Sequence, residues 1–514
     1  MIWNGVPLGF DGPGEDAAPI SYSKDDDGSG NAPTLVFGPP GSSKTVGLIA
    51  TALLDDESAR SYVVIDPKGE LCAISSKFRR SLPGHTVKII NPYGLLTDVR
   101  GDMISDGWNP LGDLDPANPL TFVDEAQAKG EALIKTGSNE HQPHFPDSAR
   151  SGMTAAIMFE SRDADAQTPA LPRSLPNARA VMTLESEKLR TAVEKMIESG
   201  DWDISTRARK FLDTTNEIQS IKSTIETQTA WMTPPIRADM VREGGVDFRD
   251  CAKKPTTIYV IIPATELQSK STYIRLVLSS ALRGLYKYGG VPTTLIVEEA
   301  FILQYHAEIE QALSVLRGFG SRMTVVFQSL QQIRKLYPQT WGLFTAGAVL
   351  AFRPADTDTA KWLVEKAGKE VVPVFGAQEP RPGELIPQGG WTQKERDRIP
   401  LHKMFGMPRG RAVVWKPHDE APRISWVRGY FDIPELARKS SPNPYWKGGS
   451  SAGRRARRGI AAMLAAAAVI AGGVWLSHVT GLSAGAEVPA ASPQPTAAPA
   501  RHELGRPHSV HHIL

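Results

Sequence analysis

The strongest constraint on this 514-residue chain is the stretch 34–54, TLVFGPPGSSKTVGLIATALL. An apolar, β-prone run from Thr34 to Phe37 leads into Gly38-Pro39-Pro40-Gly41-Ser42-Ser43-Lys44-Thr45, and an apolar stretch of helical character follows. Strand, tight polar loop and helix in that order make a cradle for phosphate. Backbone N–H groups turn inward, and the positive end of a helix lies beneath them. Lys44 is placed to reach β- and γ-phosphate oxygens of ATP, and Thr45 to offer its hydroxyl to Mg2+. One position departs from GxxxxGK[ST]: the residue before the lysine is Ser43 rather than glycine. A positive φ there would cost a non-glycine residue roughly 1–2 kcal/mol.

The chain is longer than one ordinary domain. Its formal net charge of +2 is nearly neutral. Any nucleic-acid contact must therefore come from local patches or pore loops rather than from bulk charge. Two cysteines, Cys72 and Cys251, imply neither a disulfide framework nor a zinc site and suit a reducing compartment.

Residues 1–33, polar and rich in Gly and Asp, read as a lead-in. After the phosphate loop, Tyr62–Ile65 reads as a buried strand ended by Asp66-Pro67, 85–92 as another strand, and WNPL at 108–111 closes a first α/β block. Strand signals then nearly vanish from 112 to 250. Helical periodicity takes over at 121–136, 147–160, 184–199 and 205–232. Strands resume at 256–263, 293–300, 322–329, 347–354 and 411–418, and a helix is expected over 270–288. The Pro/Gly-rich 376–400 reads as an exposed connection. The expected architecture is α/β: a parallel sheet formed by 34–111 and 251–431, interrupted by an all-α insertion at 112–250.

Composition changes beyond 432. A flexible basic linker, 432–458, ends in RRARR. Residues 460–482 then contain no Asp, Glu, Lys or Arg. As a helix this run spans roughly 35 Å, enough to cross a bilayer. The abutting arginines put the main body on the cytoplasmic side of a transmembrane helix at 459–482. The Ala/Pro-rich tail, 483–514, would lie across the membrane.

Glu298 and Glu299 end the 293–300 strand. A carboxylate beside the phosphate loop can hold Mg2+ through water, and its neighbour can polarise the attacking water. Gln328 ends the next strand, where an amide can sense the γ-phosphate or position water. Arg317 and Arg322 flank GFGS, and either is a candidate to complete a neighbouring subunit's site in trans.

The ordered set DPKGEL (66–71), WNPL (108–111), TIYVIIP (257–263), RGFGSRMTVVFQSLQQI (317–333), WTQKERDRIP (391–400), GRAVVWKPH (410–418) and RGYFD (428–432) resembles one family: the coupling proteins of type IV secretion, TraG-like ATPases of conjugative transfer. The resemblance covers about residues 33–431. It implies a RecA-like motor interrupted by an all-α domain, membrane anchoring at the bacterial inner membrane, and assembly as a homo-hexamer. Implied partners are DNA, single-stranded and carried with a relaxase, protein effectors, and inner-membrane components of the secretion machine. Carried over by motif, Lys44 and Thr45 bind phosphate and Mg2+, Glu298 stands at the Walker B Asp position, Glu299 at the catalytic Glu, and Gln328 at the family's strand-end Gln. Ser43 and Glu298 depart from the pattern and bear on hydrolytic rate. The family usually carries N-terminal transmembrane helices, whereas the candidate span here is C-terminal. That reads as a relocated anchor, or as a truncated or specialised member. Two other readings compete with the coupling ATPase. One is a weakly or non-hydrolysing nucleotide-binding scaffold; the other is a DNA-pumping translocase of plasmid or chromosome partition.

Overall fold

The structure, a computed structural model, describes residues 1–446 apart from 57, 136–143, 163–172, 213–214, 243–244 and 378–388. Its strands are β1 (Val6–Phe10), β2 (Pro19–Tyr22), β3 (Thr34–Phe37), β4 (Ser61–Ile65), β5 (Thr86–Ile90), β6 (Thr256–Val260), β7 (Thr293–Val297), β8 (Arg322–Phe327), β9 (Ala348–Phe352), β10 (Lys369–Ala377), β11 (Gly389–Asp397), β12 (Arg411–Trp415) and β13 (Arg423–Trp426). All but β10 and β11 form one sheet in the order β2-β1-β13-β12-β9-β3-β8-β7-β4-β6-β5. From β9 to β5 every pairing is parallel. The strand that feeds the phosphate loop therefore sits inside the parallel region, and all four of its residues are buried. Such strands read as continuous apolar runs because both faces are covered.

Alternate residues of β3 serve different cores. Leu35 and Phe37 pack with the helices that follow β5, and Val36 packs with Leu48, Ile49 and the N-terminal strands. The all-α stretch lies on the first face. Its main helices are Phe122–Leu133, His144–Arg162, Leu175–Met182, Ser186–Glu198, Trp202–Ala208 and Asn216–Gln228. Several start on side-chain caps: Ser174, Asp201 and Thr215 accept the amides of Asn177, Ile204 and Ile218. The insertion leaves and rejoins the sheet at one place, where the Val246 amide donates to the Gly107 carbonyl at 2.7 Å. Trp108 of WNPL is fully buried there, edge-on to Phe248 at 5.5 Å and to Tyr273 at 5.6 Å. The helices share a continuous core with the sheet, and the described residues form one compact unit.

Three sequence expectations change. The lead-in 1–33 contributes β1 and β2, which extend the sheet antiparallel through the pairing Phe10–Trp426. The connection at 376–400 contains β11, which pairs with β10 as an antiparallel ribbon outside the main sheet. The expected linker from 432 begins as a docked segment: the Ser441 amide donates to the Ile74 carbonyl at 2.8 Å, and Trp446 stacks on Tyr430 with centroids 6.0 Å apart. β1 and the docked segment find partners far away in the chain, and β11 lies within a Pro- and Gly-rich stretch, so all three look irregular in the sequence. The candidate span 459–482 and the tail lie outside the described residues. Among the described residues no helix is long and apolar enough to cross a membrane.

Candidate nucleotide site

The site forms at the carboxyl ends of three neighbouring parallel strands, β3, β8 and β7, where this class of sheet binds ligands. Gly38 opens the loop in a crowded place, where a side chain would force the Ser42 hydroxyl to turn away. A Cβ there would lie 2.5 Å from Ser42 Oγ and 3.2 Å from Phe352. Gly41 takes φ 78°, and Ser43 takes φ 71°, the left-handed region that favours glycine. The strain expected at Ser43 is therefore built into the loop. Replacing Ser43 by glycine removes about 1–2 kcal/mol of left-handed strain and returns about 0.5–1 kcal/mol of unfolded-state entropy. Ser43→Gly is expected to raise the unfolding free energy by about 0.5–1 kcal/mol, read as a higher denaturant midpoint at unchanged slope.

Lys44 is buried, and its Nζ donates to the Gly38 carbonyl at 3.2 Å while lying 3.8 Å from Glu299 Oε1. Thr45 Oγ1 donates to Glu298 Oε1 at 2.7 Å, across 253 residues of sequence. Gln328 Nε2 donates to Glu299 Oε2 at 2.8 Å, and the Gln328 amide donates to Gln332 Oε1 at 2.9 Å. Glu299 stands just past β7 at φ 55°, a second strained non-glycine residue, which turns its carboxylate toward Lys44. Lys44, Thr45, Glu298, Glu299 and Gln328 are thus drawn into one cluster from three strand ends.

Arg322 is not part of that cluster. It opens β8, and Gln328 follows the strand's other end, roughly 20 Å away at the rise of a strand. It is buried, with Nε donating to Thr294 Oγ1 at 3.2 Å and Nη1 to the Gly30 carbonyl at 3.3 Å. Arg317 keeps its side chain half exposed and donates to the Asp27 carbonyl at 2.7 Å. Of the two arginines, Arg317 is the one with its guanidinium at the surface.

Two acidic residues that the sequence presents only as part of DPKGEL also enter. Asp66 ends β4, the strand next to β7, and is fully buried. Its Oδ2 accepts the Cys72 amide at 2.9 Å, and Oδ1 has no hydrogen-bond partner among the described residues. Glu70 accepts from Asn443 Nδ2 at 2.5 Å. The local signal is an Asp closing a buried strand. Its meaning depends on β4 and β7 being neighbours. Burial, with the Asp66 charge adding to it, pushes the Glu298 carboxyl up to about 8 against the opposing hydrogen bond from Thr45. Burial likewise pushes Asp66 up to about 7.

Above its ordinary range and below about 8, Glu298 holds in the folded state a proton that the unfolded chain releases. Raising the pH through that window favours unfolding. The nucleotide-free protein is therefore expected to lose stability between about pH 4.5 and 8. Glu298→Gln should reduce that slope in denaturation curves taken across the window, the remainder belonging to Asp66.

The donor set suits a magnesium nucleotide: a buried lysine, a Thr hydroxyl already on a carboxylate, and a second carboxylate held by an amide. A buried carboxyl with no cation beside it is costly to ionise, and a divalent ion would relieve that cost.

Fold and site together define a P-loop α/β protein with an inserted helical region. Residues 19–378 match the family described as type IV secretory system conjugative DNA transfer, and the chain belongs to that family. It is 25% identical over 422 residues to the conjugal transfer protein TraG of Agrobacterium fabrum, covering 78% of this chain and 61% of that protein. It is 22% identical to the type IV secretion system-coupling protein VirD4 of Bartonella quintana, covering 68% of this chain and 55% of that protein. The match therefore spans less than two thirds of these relatives' length. Among solved structures, the bacterial conjugative coupling protein TrwBΔN70 superposes with a TM-score of 0.59 at 14% identity, over 80% of this chain and 87% of that one. TrwB in complex with ADP and Mg2+ superposes with a TM-score of 0.55 at 14% identity, over 77% of this chain and 85% of that one.

Proposed function

We propose that this chain is a membrane-tethered ATPase that couples DNA, carried with a relaxase, or protein substrates to a type IV secretion channel. The observation that carries the reading is the Thr45–Glu298 hydrogen bond at 2.7 Å, which joins the phosphate loop to the acidic end of β7. Family membership supplies the biological setting. ATP with Mg2+ is the nucleotide the site fits, and TrwB, the neighbour of shared fold, has been captured with ADP and Mg2+. In this reading the loop amides and Lys44 bind the phosphates, Thr45 and Glu298 hold the cation through water, and Glu299, oriented by Gln328, takes a proton from the attacking water. Bound Mg2+ supplies charge neutralisation at the phosphates. The charge-free run at 460–482 and the basic cluster before it support an inner-membrane anchor with the motor in the cytoplasm. A homo-hexamer, with Arg317 as the candidate trans arginine, completes the proposal.

The strained Ser43 and the proton-holding Glu298 favour one second reading, a slowly hydrolysing nucleotide-dependent scaffold. The deciding experiment is steady-state ATP turnover of the full chain alone and with single- or double-stranded DNA. The coupling ATPase requires measurable turnover that rises with DNA. Tight nucleotide binding without turnover under any of these conditions would leave the scaffold.

A further inference from the structure

A cavity of about 240 Å³ runs along one face of the central strands, from Val36 and Leu48 beside the phosphate loop to Arg60 and Arg322 toward the strands' opposite ends. It reaches from the exposed Met1, Asn4 and Ser58 down to the buried Thr34 and Val36 of β3. Its apolar walls come from Trp3, Leu8, Leu48 and Ile296. At one end stand two guanidinium groups, Arg60 and Arg322.

Their hydrogen bonds are the informative feature. Arg322, only 7% exposed, donates to Thr294 Oγ1 and the Gly30 carbonyl. Arg60 donates to the Gly320 carbonyl at 3.3 Å, Asn31 Oδ1 at 3.3 Å and Thr294 Oγ1 at 3.5 Å. Every one of these acceptors is neutral. The two carboxylates that also line the cavity are engaged elsewhere. Asp55 takes the amides of Ile2 and Trp3 at 2.6 and 2.9 Å, and Asp56 takes the Ser58 amide and the Tyr62 hydroxyl. Thr34 Oγ1, buried on the cavity floor, has no hydrogen-bond partner among the described residues. Burial, and then the charge of Arg322, pushes the Arg60 guanidinium down to about 10, outweighing the opposing charge of Asp56, which makes no hydrogen bond to Arg60.

Buried charges are ordinarily paired, and this pair of cations faces an apolar cavity with a free hydroxyl at its base. We propose that the cavity binds a small organic carboxylate, its head on Arg60 and Arg322 and its aliphatic body against the apolar wall. A dry cavity of about 150 Å³ accepts benzene, so the volume here suits a chain of roughly six carbons and its carboxylate. The site is distinct from the nucleotide site, yet it touches both arms of the phosphate loop. Thr34 and Val36 belong to the strand that enters the loop, and Leu48 to the helix that leaves it.

The test is calorimetric titration of the full chain with sodium hexanoate, hexan-1-ol and inorganic phosphate. Hexanoate should bind saturably at one site, with the alcohol and phosphate each at least about tenfold weaker, a difference of about 1.4 kcal/mol or more. Arg322→Gln should weaken hexanoate by at least a similar factor. Ala52→Phe, which fills the cavity from the helix side without removing a charge, should abolish binding. Failure of hexanoate to saturate overturns the proposal. Equal binding of hexan-1-ol overturns the anionic head, and equal binding of phosphate overturns the apolar body. Hexanoate affinity unchanged in a cooperatively folded Ala52→Phe variant moves the site elsewhere and overturns it too. The wild-type comparison of the three probes stands whether or not either variant folds.

Discussion

Lys44→Ala is expected to lower ATP turnover by about a hundredfold or more and to weaken nucleotide binding, with the fold retained. The magnitude follows from where the ammonium sits. It is 7% exposed, bonded to the Gly38 carbonyl at 3.2 Å and 3.8 Å from Glu299. Those contacts hold it at the mouth of the loop, where phosphate oxygens of a bound nucleotide would replace them. A positioned charge in a water-poor site acts on the transferring phosphoryl group at little reorganisation cost, and losing one such group typically costs about 10²–10³ in rate. Alanine also leaves Glu299 without its cation and the loop with an unfilled space. Turnover, binding of a fluorescent ATP analogue and thermal unfolding together make the measurement. Turnover within threefold of wild type, in a variant that unfolds cooperatively, would remove the loop from the chemistry.

Glu299→Gln separates binding from hydrolysis. The two side chains have the same shape, and the glutamine carbonyl can still accept the Gln328 amide hydrogen bond that Glu299 Oε2 now takes at 2.8 Å. What disappears is the capacity to take a proton, a contribution worth about 10²–10⁴ in rate when the base is well placed. The expected result is a fall in kcat of about two to three orders of magnitude, with ATP affinity equal to or above wild type. The left-handed backbone at φ 55° is equally costly for glutamine, so stability should change little. The discriminating measurement is single-turnover hydrolysis with saturating ATP. An unchanged rate assigns water activation to another group, and Asp66, buried beside β7 with a free carboxylate oxygen, is then the next residue to substitute. Gln328→Ala should lose less, about tenfold, because the amide orients Glu299 and leaves its proton chemistry in place.

Much of this site is legible in the amino-acid sequence. The loop from Gly38 to Thr45 encodes its own geometry because a phosphate cradle is made of consecutive backbone amides. Glu298, Glu299 and Gln328 announce themselves as polar residues closing apolar, β-branched runs, and in a parallel sheet such closings share one edge. Arg322 shows the limit of that reasoning. It stands six residues before Gln328 in the same motif, and the strand between them carries it to the opposite end of the sheet. There its charge meets Arg60, from a loop 262 positions earlier, a neighbour no local pattern could supply.

The sequence by itself determined the phosphate loop, the parallel α/β class, the helical interruption at 112–250 and the charge-free run at 460–482. Each of these is written in residues close together in the chain, as periodicity, turn chemistry or an unbroken apolar stretch. Only the tertiary structure decided what depends on strand order. It placed β1 and β13 side by side through Phe10 and Trp426, and Asp66 beside Glu298 by setting β4 next to β7. It also stood Arg60 near Arg322 above a cavity. The physical reason is that strand neighbours are chosen by hydrogen bonding and packing between segments hundreds of residues apart, so their juxtapositions carry no local pattern in the chain.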